Sequence, residues 1–341
     1  MRDWVSAPAC ALLASVLLLA IATPTVAGEL RFQSGIFSDP EFEPTINLGT
    51  SLSQANGSAH EFVYHNAGTY KASELDWQIN NVTMLNADLN VRLTPWLAFQ
   101  LEGSTLLRGS SHLDDYDWVW HGPNTWDLWS DSPDSTVKSA NRADFSAELS
   151  LYRHRYFTID ALAGLRWTQW EFQATGGTYV YTSDAKHFRD QTGAFPDIVA
   201  ITYTQDMLTP YLGLGLNANI GRFGLNASAT GSEWVFASTY DQHHLRTDIS
   251  KTGGLFNDSM HNGTYYDVKV GGTYKYSEYV DLTAGWERED FLLTKGHDTV
   301  YAIGTGVNGT GGAVTGTFGG PSGGMDNNTD RYTIGVTYKL H

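Results

Sequence analysis

Two short acidic runs carry the side chains best suited to hydrolytic chemistry. One is His112-Leu113-Asp114-Asp115-Tyr116-Asp117-Trp118. The other is Tyr240-Asp241-Gln242-His243-His244. Asp115 and Asp117 are two residues apart, as are Asp241 and His243, and in extended backbone such neighbours point the same way. A carboxylate beside a histidine favours the imidazolium and fixes the tautomer, and a histidine so oriented can take a proton from water. Two carboxylates held close repel, so one tends to keep a proton near neutrality. That pair could stabilise a tetrahedral centre or protonate a leaving group. Plainer readings stand beside this one. Asp-x-Asp in a polar loop is more often a turn or a solvated face. His243-His244 could be a weak transition-metal site, and Asp-His or Asp-Asp clusters can hold Ca²⁺ or Zn²⁺. Asp326-Asn327-Asn328-Thr329-Asp330 slightly resembles a calcium loop but lacks the downstream Gly and Glu. No serine-hydrolase elbow, phosphate loop, paired-His zinc helix or dinucleotide fingerprint occurs in a credible context, and no cofactor is expected.

The elements that must position these residues read as strands. Alternation of apolar with small or polar residues dominates, as in Leu212-Gly213-Leu214-Gly215-Leu216 and Ile334-Gly335-Val336-Thr337-Tyr338. No segment keeps a capped helical period. Ten strands are predicted at 44–64, 73–92, 96–107, 140–153, 155–173, 201–220, 223–238, 263–277, 279–295 and 329–340. Their connections alternate between tight turns, at Leu93-Thr94-Pro95, His154, Gly221-Arg222 and near Glu278, and long polar segments at 108–139, 174–200, 239–262 and 296–328. Short turns at one end and long loops at the other are the layout of a membrane barrel. The expected fold is therefore all-β: a ten-stranded antiparallel transmembrane β-barrel with long extracellular loops. Both acidic runs would then share one rim. Trp77, Trp96, Tyr152, Tyr156, Tyr211, Tyr276 and Tyr279 are expected in its interfacial girdles.

Composition agrees. Arg2, the apolar run Ala11–Ala22 and the small-residue site Thr25-Val26-Ala27 predict a signal peptide over 1–27, leaving 28–341 as one barrel domain. The sole cysteine, Cys10, lies inside that segment. A formal charge of −16 disfavours nucleic acid as a partner and suits cationic polypeptides. Aromatics at 13% with 35 Gly suit a barrel, in which only alternate residues need be apolar.

Taken in order, Ile46-Asn47-Leu48-Gly49-Thr50, Ser73-Glu74-Leu75-Asp76-Trp77, Asp115-Tyr116-Asp117-Trp118, Gly176-Gly177-Thr178-Tyr179-Val180-Tyr181, Phe188-Arg189-Asp190 and Gly193-Ala194-Phe195-Pro196 make the chain resemble the omptins. These are ten-stranded outer-membrane endopeptidases, and the resemblance runs from about Ile46 to the C-terminus. It implies an aspartic-type endopeptidase of the cell outer membrane with its site facing outside. Asp115 with Asp117 would form one couple and Asp241 with His243 the other, with water attacking between His243 and Asp115. It implies polypeptide substrates cut next to basic residues, Glu61 gripping the basic side chain. Two departures bear on this. Thr239 stands where well-studied members have a second acid, which predicts a broader preference. Gln169 and Asp206 stand where enteric members hold lipopolysaccharide phosphates with basic side chains, which predicts that this lipid is bound differently or is less required. The alternative functional reading is an adhesin or invasin barrel with catalysis secondary or lost. A porin is disfavoured because side chains largely fill so narrow a barrel.

Overall fold

The computed structural model describes residues 42–65, 70–245, 254–302, 314–317 and 321–340. The predicted signal peptide lies outside them. The strands are β1 (Thr45–His65), β2 (Tyr70–Thr94), β3 (Leu97–Asp117), β4 (Leu128–Ser132), β5 (Thr136–Arg153), β6 (Phe157–Thr175), β7 (Thr178–Tyr181), β8 (Gln191–Ala194), β9 (Val199–Ile220), β10 (Phe223–His243), β11 (Gly254–Lys275), β12 (Val280–Ala302), β13 (Val314–Thr317) and β14 (Gly323–Leu340). Ten of them close a ring in the order β2-β1-β14-β12-β11-β10-β9-β6-β5-β3, sealed by β2–β3 pairing. Every neighbour is antiparallel. The short strands β4, β7 and β8 extend from β3 as a flap, and β13 pairs with β12.

The wall strands are 18–25 residues long, about twice the roughly 9–11 needed to cross a bilayer. Their turn ends carry an apolar outer surface. Leu149, Leu151, Leu212, Leu214, Ile334 and Val336 are all exposed, as lipid-facing positions of a barrel must be. Tyr152, Tyr156, Tyr276 and Tyr279 are exposed near the turns. Gly221, at φ +61° in the β9–β10 turn, adopts a conformation that a Cβ would penalise. Towards the other end, here called the mouth, the outer surface turns polar. Arg288 pairs with Asp290 (2.7 Å) and Asp330 (2.6 Å), and His60 with Asp326 (2.5 Å) and Asp76 (3.2 Å). These residues stand beyond the apolar band.

Two sequence expectations change, and one weak resemblance is settled. The strands run further towards the mouth than predicted: β3 continues to Asp117 and β10 to His243, so both acidic runs sit on walls rather than in loops. Above the membrane both strand faces are polar, and the alternation that marks a strand fades. Trp77 and Tyr211 point inward, at 0% and 7% exposure, and belong to no girdle. The Asp326–Asp330 run lies inside β14. A strand cannot curl its ligands round an ion as a calcium loop does.

The lumen is layered. Towards the turns, a cavity of about 710 Å³ is lined by polar residues including Asn47, Arg92, Glu102 and Lys269. Next comes a charged layer. Arg166 contacts Asp144 (2.5 Å), Asp267 (3.0 Å) and Glu289 (2.6 Å); Arg142 contacts Glu287 (2.6 Å) and Glu102 (3.0 Å). Above it, Trp77, Phe172 and Tyr203 stack with ring centroids 5.3–6.4 Å apart, and Trp170 lies 6.1 Å from Phe172. All four are at most 1% exposed, and each such burial contributes about 1.5–3 kcal/mol relative to exposure. This aromatic septum is the floor of the mouth.

Candidate active site

Register explains how distant residues meet. Glu61 on β1 lies opposite Leu75 on β2, which lies opposite Asp115 on β3. All three face inward, and the next outward row holds His60, Asp76 and Asp114. On the other side of the mouth, inward positions of β10 bring Thr239, Asp241 and His243 to the lumen. Thr239 pairs with Asp258 on β11, and Asp258 with Asp298 on β12.

His243 Nε2 meets Asp241 Oδ2 in an ion pair. Its ring also stands edge-on to Phe256, with centroids 5.4 Å apart at 70°. A carboxylate on one side and a ring on the other hold the imidazole plane. Asp241 is 2% exposed. His244, one residue on, faces away. The Gln242 amide donates to its Nδ1 (3.1 Å), and its Nε2–H donates to Thr202 Oγ1 (3.0 Å). Burial lowers the basicity of His244, opposed by Asp241 and reinforced by His243, so His244 stays neutral.

Glu61, 2% exposed, sits amid other acids. Burial raises its pKa well above the usual range, and Asp241, Asp258, Asp298 and Asp115 raise it further. Carboxylates from β3, β10, β11 and β12 therefore all act on one point on β1. Water can use such a set: a nucleophile activated at the histidine, acids opposite, and a negative cleft for a cationic chain.

Sequence reasoning missed two features. Tyr181, on the flap strand β7, stands in register with Leu128 and, through it, with Asp117. Burial, then the charges of Asp115 and Asp117, push its phenol up, opposed by a hydrogen bond with Ser130. Asp258 and Asp298 were hidden in segments read as loops; only their cross-strand register, which sequence does not print, joins them to the site. On the outer wall, Gln169 Nε2 donates to Asp206 Oδ1 (3.0 Å). The two positions form a neutral-to-acidic strip there.

A closed barrel with an apolar belt and an acid-and-histidine mouth defines a class of outer-membrane proteins with chemistry at one rim. The Omptin family model matches residues 43–340, and the chain belongs to that family. It is 33% identical over 264 residues to the outer membrane protease OmpP of Escherichia coli K12, covering 76% of this chain and 80% of that protein. It is 32% identical over 260 residues to the plasminogen activator of Yersinia pestis, covering 74% of this chain and 82% of the relative. The crystal structure of the outer membrane protease OmpT of E. coli superposes with a TM-score of 0.79 at 26% identity, over 89% of this chain and 100% of that one. Family and fold make the chain an outer-membrane peptidase.

Proposed function

We propose that this peptidase is an aspartic-type endopeptidase whose mouth faces the cell exterior and which cuts polypeptides next to basic residues. Asp241 orients His243, and His243 takes a proton from a water held between it and Asp115. The hydroxide adds to the scissile carbonyl carbon. Asp115 and Asp117, sharing a proton, stabilise the tetrahedral oxygen; His243 then returns its proton to the departing amine. No acyl-enzyme forms and no cofactor takes part. Glu61 receives the basic side chain, and the acidic mouth draws in cationic substrates. The observation that carries this reading is the Asp241–His243 ion pair on the rim that also bears Asp115, Asp117 and Glu61.

Lipopolysaccharide is proposed to be a weak partner, because the Gln169–Asp206 strip offers phosphate no cation and Asp206 would repel it. The direct test is cleavage of a fluorogenic dibasic peptide by refolded protein. Wild type should cut internally, and His243→Ala should be inactive while still folded. Full activity in that variant would defeat the assignment.

A further inference from the structure

The acidic run on β3 has a second face. Asp115 and Asp117 take the inward positions, so His112 and Asp114, of the other parity, stand on the outer wall. Asp114 lies opposite Asp131 on β4, the first strand of the flap. His112 Nε2 is 3.4 Å from Asp114 Oδ2 and 2.9 Å from Asp131 Oδ1. One ligand atom from each of the three residues lies within 4.8 Å of the other two.

These contacts do not satisfy the groups that make them. Asp131 Oδ1 is buried and has no hydrogen-bond partner, although the His112 ring nitrogen is 2.9 Å away. The two atoms are close without being aligned on each other, as when both face a third point between them. Trp129 Nε1–H donates to Asp114 Oδ1 (2.9 Å), which leaves Oδ2 on the His112 side. Among the described residues no Lys or Arg pairs with either aspartate, and Asp76 stands in register beside Asp114. Two carboxylates against one histidine keep the seam net negative whatever the ring's protonation.

The donor set names the ion. One imidazole nitrogen and two carboxylate oxygens, with a position left for water, suit Zn²⁺, whereas Ca²⁺ and Mg²⁺ favour oxygen alone. Zinc bonds of about 2.0–2.1 Å to such donors set neighbouring ligand atoms roughly 2.9–3.4 Å apart, from octahedral to tetrahedral angles. The separations of 2.9 and 3.4 Å at His112 are of that size. An indole N–H holding the second oxygen of a ligating carboxylate is the orienting partner that metal ligands commonly have.

We propose that His112, Asp114 and Asp131 form a zinc site on the outer wall, across the seam between β3 and β4. β4 is held by β3 on one side and by β7 on the other. The ion therefore pins the flap to the strand that carries Asp115 and Asp117. The site stands back to back with the mouth and is independent of the peptidase reading.

The test is calorimetric titration of zinc chloride into refolded full-length barrel carrying His243→Ala/His244→Ala, which removes the other histidine pair able to take a transition metal. One Zn²⁺ per chain should bind and raise the thermal midpoint. Adding His112→Ala or Asp131→Asn should weaken binding by more than about 100-fold. Trp129→Phe, which keeps a ring but loses the N–H, should weaken it about 10-fold. Excess Ca²⁺ or Mg²⁺ should not displace the ion. His112→Lys keeps a cation against both aspartates, so a plain ion pair would survive it while zinc binding should not. Absence of stoichiometric binding, an affinity unchanged in folded His112→Ala, zinc binding retained in His112→Lys, or displacement by Ca²⁺ would overturn the inference.

Discussion

At mid-height in the lumen, Asp144, Asp267, Glu287 and Glu289 surround Arg142 and Arg166, and Lys269 adds a contact to Glu102 at 3.1 Å. At the mouth, above the aromatic septum, Glu61, Asp258 and Asp298 are as deeply buried, with no such partners among the described residues. The sequence uses the same residue types in both places. The difference is whether the barrel neutralises them itself. The lower cluster is closed and ties opposite walls together. The upper one holds its acids against one another, Asp258 facing Asp298 with Thr239 Oγ1 donating to Asp258. Buried charge answered by cations within the fold ties walls together, while a buried cluster of acids with raised pKa values is where a functional site is to be sought.

That contrast can be attacked from both sides. The largest effect is expected at the couple itself: His243→Ala or Asp241→Asn should lower kcat about 10²- to 10⁴-fold in the fluorogenic assay, with the folded barrel intact. Next comes the closed cluster. Arg166→Ala leaves several acids without their cation and should cost about 3–5 kcal/mol of stability in urea titrations of the detergent-refolded barrel. Asp258→Asn should do the opposite and hold or raise stability, because it removes a repelling charge. A loss at position 258 comparable with that at 166 would erase the distinction between the layers.

A third prediction concerns pH. Asp298, facing Asp258 across the sheet, is pushed up to about 6 by burial, with the Asp258 hydrogen bond opposing and the Asp241 charge adding to the rise. Its carboxyl favours the folded state when protonated, so its contribution to stability is full below the ordinary aspartate range and is lost as pH rises through about 6. The unfolding midpoint should therefore fall as pH rises through about 6, and Asp298→Asn should flatten that fall. Tyr181→Phe should cost less still, a few-fold in kcat, because Asp115 and Asp117 stay in place without the hydroxyl. Smallest is the outer wall: Gln169→Arg/Asp206→Lys should increase stimulation of activity by added lipopolysaccharide, with the soluble-peptide KM unmoved.

Much of this was legible in the sequence where lipid dictates the pattern. Inside the membrane band only alternate residues need be apolar, so runs such as Leu212–Leu216 declare both strand and direction. The proposed quartet rests on i, i+2 spacing and family likeness, and the Asp241–His243 contact on one strand face is the part that such spacing can foresee. Above the band, water on the outer face and polar chemistry on the inner face remove that contrast, and β3 beyond 107 reads as loop although it is wall. The inward turn of Trp77 and Tyr211 depends on a parity that a single β-bulge can shift. Asp258 and Asp298 escaped notice for a related reason. Forty residues separate them, and a register between two such segments is a fact of the closed sheet.

The septum of Trp77, Trp170, Phe172 and Tyr203 has a consequence for the cell envelope. Trp77 on β2 meets Phe172 on β6 and Tyr203 on β9 inside the lumen, so a solute passing through the barrel from one side of the membrane to the other would have to displace these rings.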